Sequence, residues 1–121
     1  CILFQTHYGY FICVPYRTEI SHKYAYHFKN SARSIMHKSG LDYTKIVLIT
    51  DTRFIDTQDA LIDKDEYNET MVNLEKLKAE ALAFVEEYVS HIKGEQLLHP
   101  KEFKRRYLFS PLKYFHAEMG V

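Results

Sequence analysis

Four side chains that follow a predicted strand carry the groups needed to cleave a phosphodiester. They are Arg17, Thr18, His22 and Lys23. Metal-free cleavage of RNA needs a base for the 2′-hydroxyl proton, a cation for the charged phosphorane and an acid for the leaving 5′-oxygen. His22 could serve as base or acid, because imidazole exchanges protons near neutral pH. Arg17 could grip the phosphate through two hydrogen bonds, Thr18 could donate to a nonbridging oxygen, and Lys23 could add a second positive charge. The alternative is an ordinary solvated turn.

A basic, hydroxyl-rich stretch over residues 29–40 predicts contact with RNA. It contains no carboxylate and follows Tyr24, Tyr26 and Phe28. Cations with aromatic neighbours suit single-stranded RNA, whose bases stack on rings; the alternative, favoured for Phe28, is that the rings belong to the core. A further basic run, residues 101–106, could bind RNA or be a solvated face. The candidate RNA-binding residues are Tyr16, Lys29, Asn30, Ser31, Arg33, Ser34, His37, Lys38, Lys104 and Arg105.

No pattern in the sequence predicts a metal or a cofactor. Four aspartates lie close together, but their spacing fits no calcium loop. They are Asp51, Asp56, Asp59 and Asp63. No Cys/His spacing resembles a zinc site, and Cys1 and Cys13, in apolar surroundings, are predicted to be reduced, buried thiols. A glycine loop that could cradle phosphates is also missing.

The charges of this 121-residue chain sum to zero but are segregated. Residues 1–48 carry six Lys/Arg and two Asp/Glu, residues 49–92 carry four and eleven, and residues 93–121 carry six and three. Two basic ends around an acidic middle could form a positive face on a neutral protein. Length and composition predict one domain over residues 1–121 without a membrane span. The expected location is the cytoplasm. The apolar start at Cys1 suggests that residues before it are missing.

Strand signals dominate the first half of the chain. Residues 1–5 and 8–14 are predicted to form a hairpin. Residues 16–40 are predicted to be a long, ordered excursion with one short helical turn. Residues 43–50 form the clearest strand, and residues 54–62 a weaker one that pairs with it.

Helix signals dominate the second half. An apolar stripe at steps of three and four predicts one helix from about residue 65 to 93, ended by Gly94 and capped by Asp63 or Asp65. The stripe consists of Met71, Leu74, Leu77, Ala81, Leu82, Val85, Tyr88, Val89 and Ile92. Two short helices are expected to begin at Pro100 and at Ser110-Pro111. The predicted fold class is α+β, a twisted antiparallel sheet with a long helix across one face.

In order, the segments VPYRTEISHK, SGLDYTKIVLI and LHPKEFKRRY…YFH resemble those of the type III toxin–antitoxin endoribonuclease toxins. The resemblance covers nearly the whole chain and is strongest to the CptN/TenpN branch of the ToxN/AbiQ family. It implies a MazF/Kid-like sheet and metal-independent cleavage of RNA that leaves a 2′,3′-cyclic phosphate. Members place their catalytic group after a strand that ends in proline. Arg17, Thr18 and Lys23 occupy that place after Pro15, although the family's Thr-Ser-Pro-Lys pattern is absent.

The resemblance also implies partners. The toxins of this family are inhibited by a small structured RNA antitoxin, which is cut from a tandem-repeat transcript. Toxin and RNA close into a ring-like hetero-oligomer, and cellular or phage mRNA is the substrate when phage infection is aborted. Two other functions stay open on the residues alone: a non-catalytic RNA-binding module, and a protein-interaction domain that docks through the acidic helix 65–93.

Overall fold

The computed structural model describes residues 2–6, 8–29, 31–50 and 64–121 and confirms the α+β class. Its strands are β1 (Ile2–Gln5), β2 (Phe11–Val14), β3 (Tyr16–Arg17), β4 (Ala25–His27), β5 (Gly40–Asp42) and β6 (Val47–Ile49). Its helices are α1 (Ala32–His37), α2 (Lys64–Val72), α3 (Leu74–Lys93), α4 (Pro100–Tyr107) and α5 (His116–Met119). The predicted strand at 54–62 and the four aspartates at 51–63 lie outside the described residues.

The predicted N-terminal hairpin is confirmed and belongs to a sheet with strand order β1-β2-β6. Both pairings are antiparallel, and Ile12 lies opposite Phe4 on one side and Leu48 on the other. These three side chains are buried together, as expected where neighbours in register share one face of a sheet. The centre of this sheet therefore forms one wall of the core, and α3 packs against β2.

A second antiparallel sheet, with strand order β3-β5-β4, replaces the predicted long excursion at residues 16–40. The prediction of one sheet was wrong, because β3 and β4 have two and three residues and are too short to show an alternating pattern. Pro15 separates β2 from β3, and its carbonyl accepts a hydrogen bond from the Asp42 amide at 3.1 Å. The chain therefore passes from one sheet to the other at Pro15.

The strand predicted at residues 43–50 is divided. Tyr43–Lys45 is a 3₁₀ turn, and only Val47–Ile49 is a strand. The carboxylate of Asp42 accepts a hydrogen bond from the Thr44 amide at 2.9 Å and so caps the turn. This local contact outweighs the β propensity of the sequence at residues 43–45.

The helix predicted over residues 65–93 is two helices, α2 and α3, which meet at Asn73. The Asn73 side-chain amide donates to the Glu69 carbonyl at 2.8 Å, a bond that competes with the backbone ladder. Since α2 begins at Lys64, Asp65 lies in its first turn rather than at its cap. The predicted end at Gly94 is confirmed, with φ of 75° in the left-handed region that glycine tolerates.

The core takes buried side chains from both sheets, from α3 and from the C-terminal helices. From α3 it takes Leu77, Ala81, Phe84, Val85 and Tyr88. Met71, at the start of the predicted stripe, is exposed. As predicted, Pro100 opens α4 and Ser110 caps the 3₁₀ turn Pro111–Tyr114. None of the helices in the described part of the chain has the length and apolar character needed to cross a membrane.

Candidate functional site

A cleft of about 200 Å³ collects side chains from three separate parts of the chain. Its lining consists of Arg17, Thr18, Glu19, Ile20, Ser21, His22, Asp42, Thr44, Lys45, Arg105, Arg106 and Phe109. Three of the four predicted catalytic residues therefore share one cleft. The fourth, Lys23, lies outside it, with its Nζ 5.5 Å from the ring centre of Tyr24.

A bend at Glu19 brings the two ends of the predicted catalytic segment to the same cleft. Glu19 has φ of 57°, which is uncommon for a residue with a side chain. The bend is held by backbone hydrogen bonds from Glu19 to the His37 carbonyl at 2.6 Å and from Ile20 to the Lys38 carbonyl at 3.1 Å. Helix α1 thus anchors the loop, so that both Arg17 and His22 line the cleft.

Asp42 is the centre of the site and is only 3% exposed. Its Oδ1 accepts hydrogen bonds from the Thr44 hydroxyl at 2.5 Å and from the Thr44 amide at 2.9 Å. His22 Nε2 lies 3.2 Å from the same oxygen, and an Arg17 guanidinium nitrogen lies 3.6 Å from Oδ2. A buried carboxylate needs such donors to offset its lost hydration. One carboxylate therefore fixes imidazole, hydroxyl and guanidinium together.

The hydrogen bonds of His22 define its tautomer. Its Nδ1 accepts from the Tyr24 amide at 3.1 Å, so the proton of the neutral ring is on Nε2, which donates to the Thr44 hydroxyl at 3.5 Å and lies 3.2 Å from Asp42 Oδ1. The His22 carbonyl accepts from His27 Nε2 at 2.8 Å. Both ring nitrogens are thus engaged within the protein, and Nδ1 becomes free for a substrate proton only if the Tyr24 amide moves away.

The cations around the cleft differ in how far they are neutralised. Arg106 is paired with Glu87 at 2.5 Å and Arg105 with Glu102 at 2.8 Å. Lys45 Nζ instead donates to the Phe109 carbonyl at 3.0 Å, and among the described residues it has no carboxylate within ion-pair distance. Its charge is therefore available to an anion in the cleft.

Three residues predicted to bind RNA have their hydroxyls turned inward. Ser31 is fully buried, caps α1 by accepting from the Ser34 amide at 2.9 Å and donates to Glu66 at 3.4 Å. The Ser34 hydroxyl donates to the Ser31 carbonyl at 2.7 Å. The half-buried Tyr16 hydrogen-bonds through its hydroxyl to Thr70 at 3.3 Å. Since these three hydroxyls make hydrogen bonds within the protein, they are not available to bind RNA in this structure.

Of the other predicted RNA-binding residues, those whose side chains the structure describes are on the surface. Lys29, Lys38 and Lys104 are exposed, and exposed His37 lies 3.4 Å from Glu19. Only Arg105 lines the cleft. Asn30 and the side chain of Arg33 lie outside the described part of the chain.

Sequence reasoning missed four residues of the cleft: Asp42, Thr44, Lys45 and Phe109. The order Asp42-Tyr43-Thr44 is a usable signal, since an aspartate commonly caps a turn by binding an amide two residues later. Lys45 and Phe109 carry no such signal, because they are 64 residues apart and meet only in the folded chain.

Two buried glutamates of α2 hold the second sheet to the helices. Glu66 accepts from the Ser39 hydroxyl at 2.5 Å, and Glu69 accepts from the Tyr26 hydroxyl at 2.7 Å and the Lys29 amide at 3.0 Å. Burial and the bond to Glu69 raise the pKa of Tyr26 to about 12. These contacts support β4 and β5, and β5 carries Asp42.

Comparison with known proteins gives no match to the chain among family models, curated proteins or solved structures. Within the described ranges, no three His, Cys, Asp or Glu side chains come together in a way that could hold a metal ion. The geometry of the cleft is therefore the basis for a functional proposal.

Proposed function

We propose that this chain is a metal-independent endoribonuclease, the toxin of a type III toxin–antitoxin pair. Its substrate is cellular or phage mRNA, and a small structured RNA antitoxin inhibits it in a ring-like complex in the cytoplasm. The observation that carries the proposal is the shared cleft. Arg17, Thr18 and His22 line it together with Lys45 and Arg105 from distant parts of the chain.

Binding of a phosphodiester follows from the charges. The Arg17 side chain is 46% exposed although its guanidinium lies beside Asp42, so it can still donate to a phosphate oxygen. Lys45 adds a positive charge from the other wall of the cleft. Together they stabilise the extra negative charge of the phosphorane more than that of the bound diester, as catalysis requires.

Cleavage then consists of one displacement at phosphorus. The 2′-oxygen attacks, the bond to the 5′-oxygen breaks, and the products are a 2′,3′-cyclic phosphate and a 5′-hydroxyl. The 2′-hydroxyl loses its proton to the protein, and the leaving 5′-oxygen takes a proton from a water molecule of the solvent. His22 takes the first proton on Nδ1 once the Tyr24 amide has moved away, while the Thr44 hydroxyl and the nearby Asp42 carboxylate keep the ring oriented through Nε2. The Thr18 hydroxyl donates to a nonbridging oxygen.

The decisive experiment is cleavage of mRNA by purified, RNA-free protein in the presence of EDTA. We expect 2′,3′-cyclic phosphate ends, and a rate at least about a hundredfold lower for His22→Gln. Glutamine can keep a donor for Asp42 but lacks a basic nitrogen. Lys78→Ala, which removes an exposed cation of α3 that is not part of the cleft lining, is the control and should cleave normally. A requirement for a divalent ion would contradict the proposal.

A second candidate, a non-catalytic RNA-binding module, is favoured by one observation. Both nitrogens of His22 are already hydrogen-bonded, so its imidazole is not a free base in the unliganded cleft. Thr18→Ala and His22→Gln separate the two functions. Loss of cleavage with retained RNA binding supports the enzyme, whereas a wild-type protein that binds RNA without cutting it supports the module.

A further inference from the structure

An exposed aromatic ring stands at the edge of the cationic cleft. Phe109 is 76% exposed, yet it lines the same cleft as Arg17 and Lys45. Lys45 Nζ lies 5.7 Å from the centre of its ring and also donates to its carbonyl. The ring is therefore next to the one cleft cation that, within the described residues, lacks a carboxylate partner.

The backbone that carries Phe109 is fixed on both sides. Tyr107 and Ser110 are buried, and the Ser110 amide donates to the Tyr107 carbonyl at 3.0 Å. The Ser110 hydroxyl accepts from the Leu112 amide at 3.2 Å and so begins the following 3₁₀ turn. Because this backbone is already ordered and the ring is exposed, little conformational entropy of the protein is lost when a ligand binds to the ring.

This combination fits one kind of occupant. Single-stranded nucleic acids bind where a positive groove follows the backbone and an aromatic ring accepts a base on its face. In a duplex both faces of each internal base are stacked already, so the ring would have no base to receive. The charge of the cleft selects a phosphate, and the ring beside it selects an unpaired base.

We propose that Phe109 stacks on an unpaired nucleobase next to the phosphate bound by Arg17 and Lys45, so that the cleft takes single-stranded RNA. This rests on the proposed function and adds the residue that would select an unpaired base of the RNA. The carbonyl-to-ammonium bond between Phe109 and Lys45 keeps the base site and the phosphate site at a fixed spacing.

The test uses a short single-stranded RNA in which fluorine replaces every 2′-hydroxyl, so that it binds but cannot be cleaved. A fluorescent label reports affinity, and the same strand annealed to its complement is the duplex probe. For Phe109→Ala we expect about tenfold weaker binding of the single strand and unchanged binding of the duplex. Phe109→Trp should keep the affinity, because it retains a ring face.

Tyr114→Ala is the matched control, since Tyr114 is 74% exposed, close in sequence and not part of the cleft lining. It should bind both probes as the wild type does. Thermal unfolding checks that both variants fold, which the exposure of both rings favours. Equal affinity of Phe109→Ala and wild type for the single strand would overturn the inference and leave the ribonuclease proposal standing. A wild type that binds neither probe would overturn both.

Discussion

Asp42 gives the clearest test at the scale of single residues, since one buried carboxylate serves several donors. Asparagine in its place offers only one acceptor oxygen. Its amide group then faces Arg17 or His22, so that two hydrogen-bond donors point at each other. We expect Asp42→Asn to lower the free energy of unfolding by about 2 kcal/mol, the usual scale for hydrogen bonds to a buried charge. Urea denaturation measures the change.

The control for Asp42→Asn is Glu75→Gln, which neutralises an exposed carboxylate in the first turn of α3. Its stability should stay within about 0.5 kcal/mol of the wild type. If the two variants were equally stable, Asp42 would not be the centre that the distances indicate, and the orientation of His22 would need another cause.

Tyr26 makes a second prediction at this scale, in the alkaline range. Burial and Glu69 raise its pKa in the folded chain from 10.0 to about 12. The folded chain then keeps a proton that the unfolded chain loses, so this contribution is complete below pH 10 and disappears as pH rises toward 12. Urea denaturation between pH 9 and about pH 12 should show a shallower loss of stability for Tyr26→Phe than for the wild type. Parallel curves would contradict the assignment.

At the scale of elements, Gly40 decides whether the second sheet can form. It pairs with Arg17 on β3 and with His27 on β4. A Cβ at this position would lie 2.2 Å from the Tyr26 carbonyl oxygen, which is backbone and cannot turn away. We expect Gly40→Ala to cost about 3 kcal/mol, at the upper end of overpacking effects, and to weaken RNA binding, because β5 carries Asp42.

Gly94→Ala is the comparison for Gly40→Ala. Gly94 has φ of 75° but open space around its missing Cβ, so only backbone strain of about 1 kcal/mol is added. RNA affinity should not change, since the end of α3 is not part of the cleft lining. Thermal unfolding and RNA titration of both variants measure the two effects, and equal losses of stability would show that the sheet yields at Gly40.

The elements that sequence could predict are those with strong local signals. The first hairpin and the helix end at Gly94 were correct, because β-branched runs and a terminal glycine act within a few residues. The second sheet was missed, since its strands are stabilised by partners elsewhere in the chain. The break at Asn73 was missed because the apolar steps continue across it while one side-chain amide disturbs the ladder.

The same distinction holds for the site. Arg17, Thr18 and His22 could be proposed as candidates because they are neighbours in the chain, and the structure brings them to one cleft. Lys23 lies outside the cleft, because the bend at Glu19 determines which side chains of the segment face it. No local sequence pattern predicts that bend. Lys45 and Phe109 join the cleft only through tertiary contacts.

At the scale of the whole molecule, a chain of net charge zero is proposed to bind a polyanion. Attraction must then come from cations gathered at one place, and its signature is salt dependence. Of the four cleft cations, Arg106 is held by two glutamates, Glu87 and Glu102. The other three, Arg17, Lys45 and Arg105, predict that the logarithm of affinity for single-stranded RNA falls against the logarithm of salt concentration with a slope of about −2.

Single substitutions test whether the salt dependence of RNA binding arises from the cleft. Lys45→Ala removes one phosphate contact and should reduce the slope by about 0.7, while Lys78→Ala removes the same charge from α3 and should leave it unchanged. Fluorescence titrations of the non-cleavable RNA over a series of salt concentrations measure all three proteins. Because both variants have the same net charge, any difference between them reflects the position of the lysine. Identical slopes for the two variants would mean that RNA is bound elsewhere and that Lys45 does not contact a phosphate in the cleft.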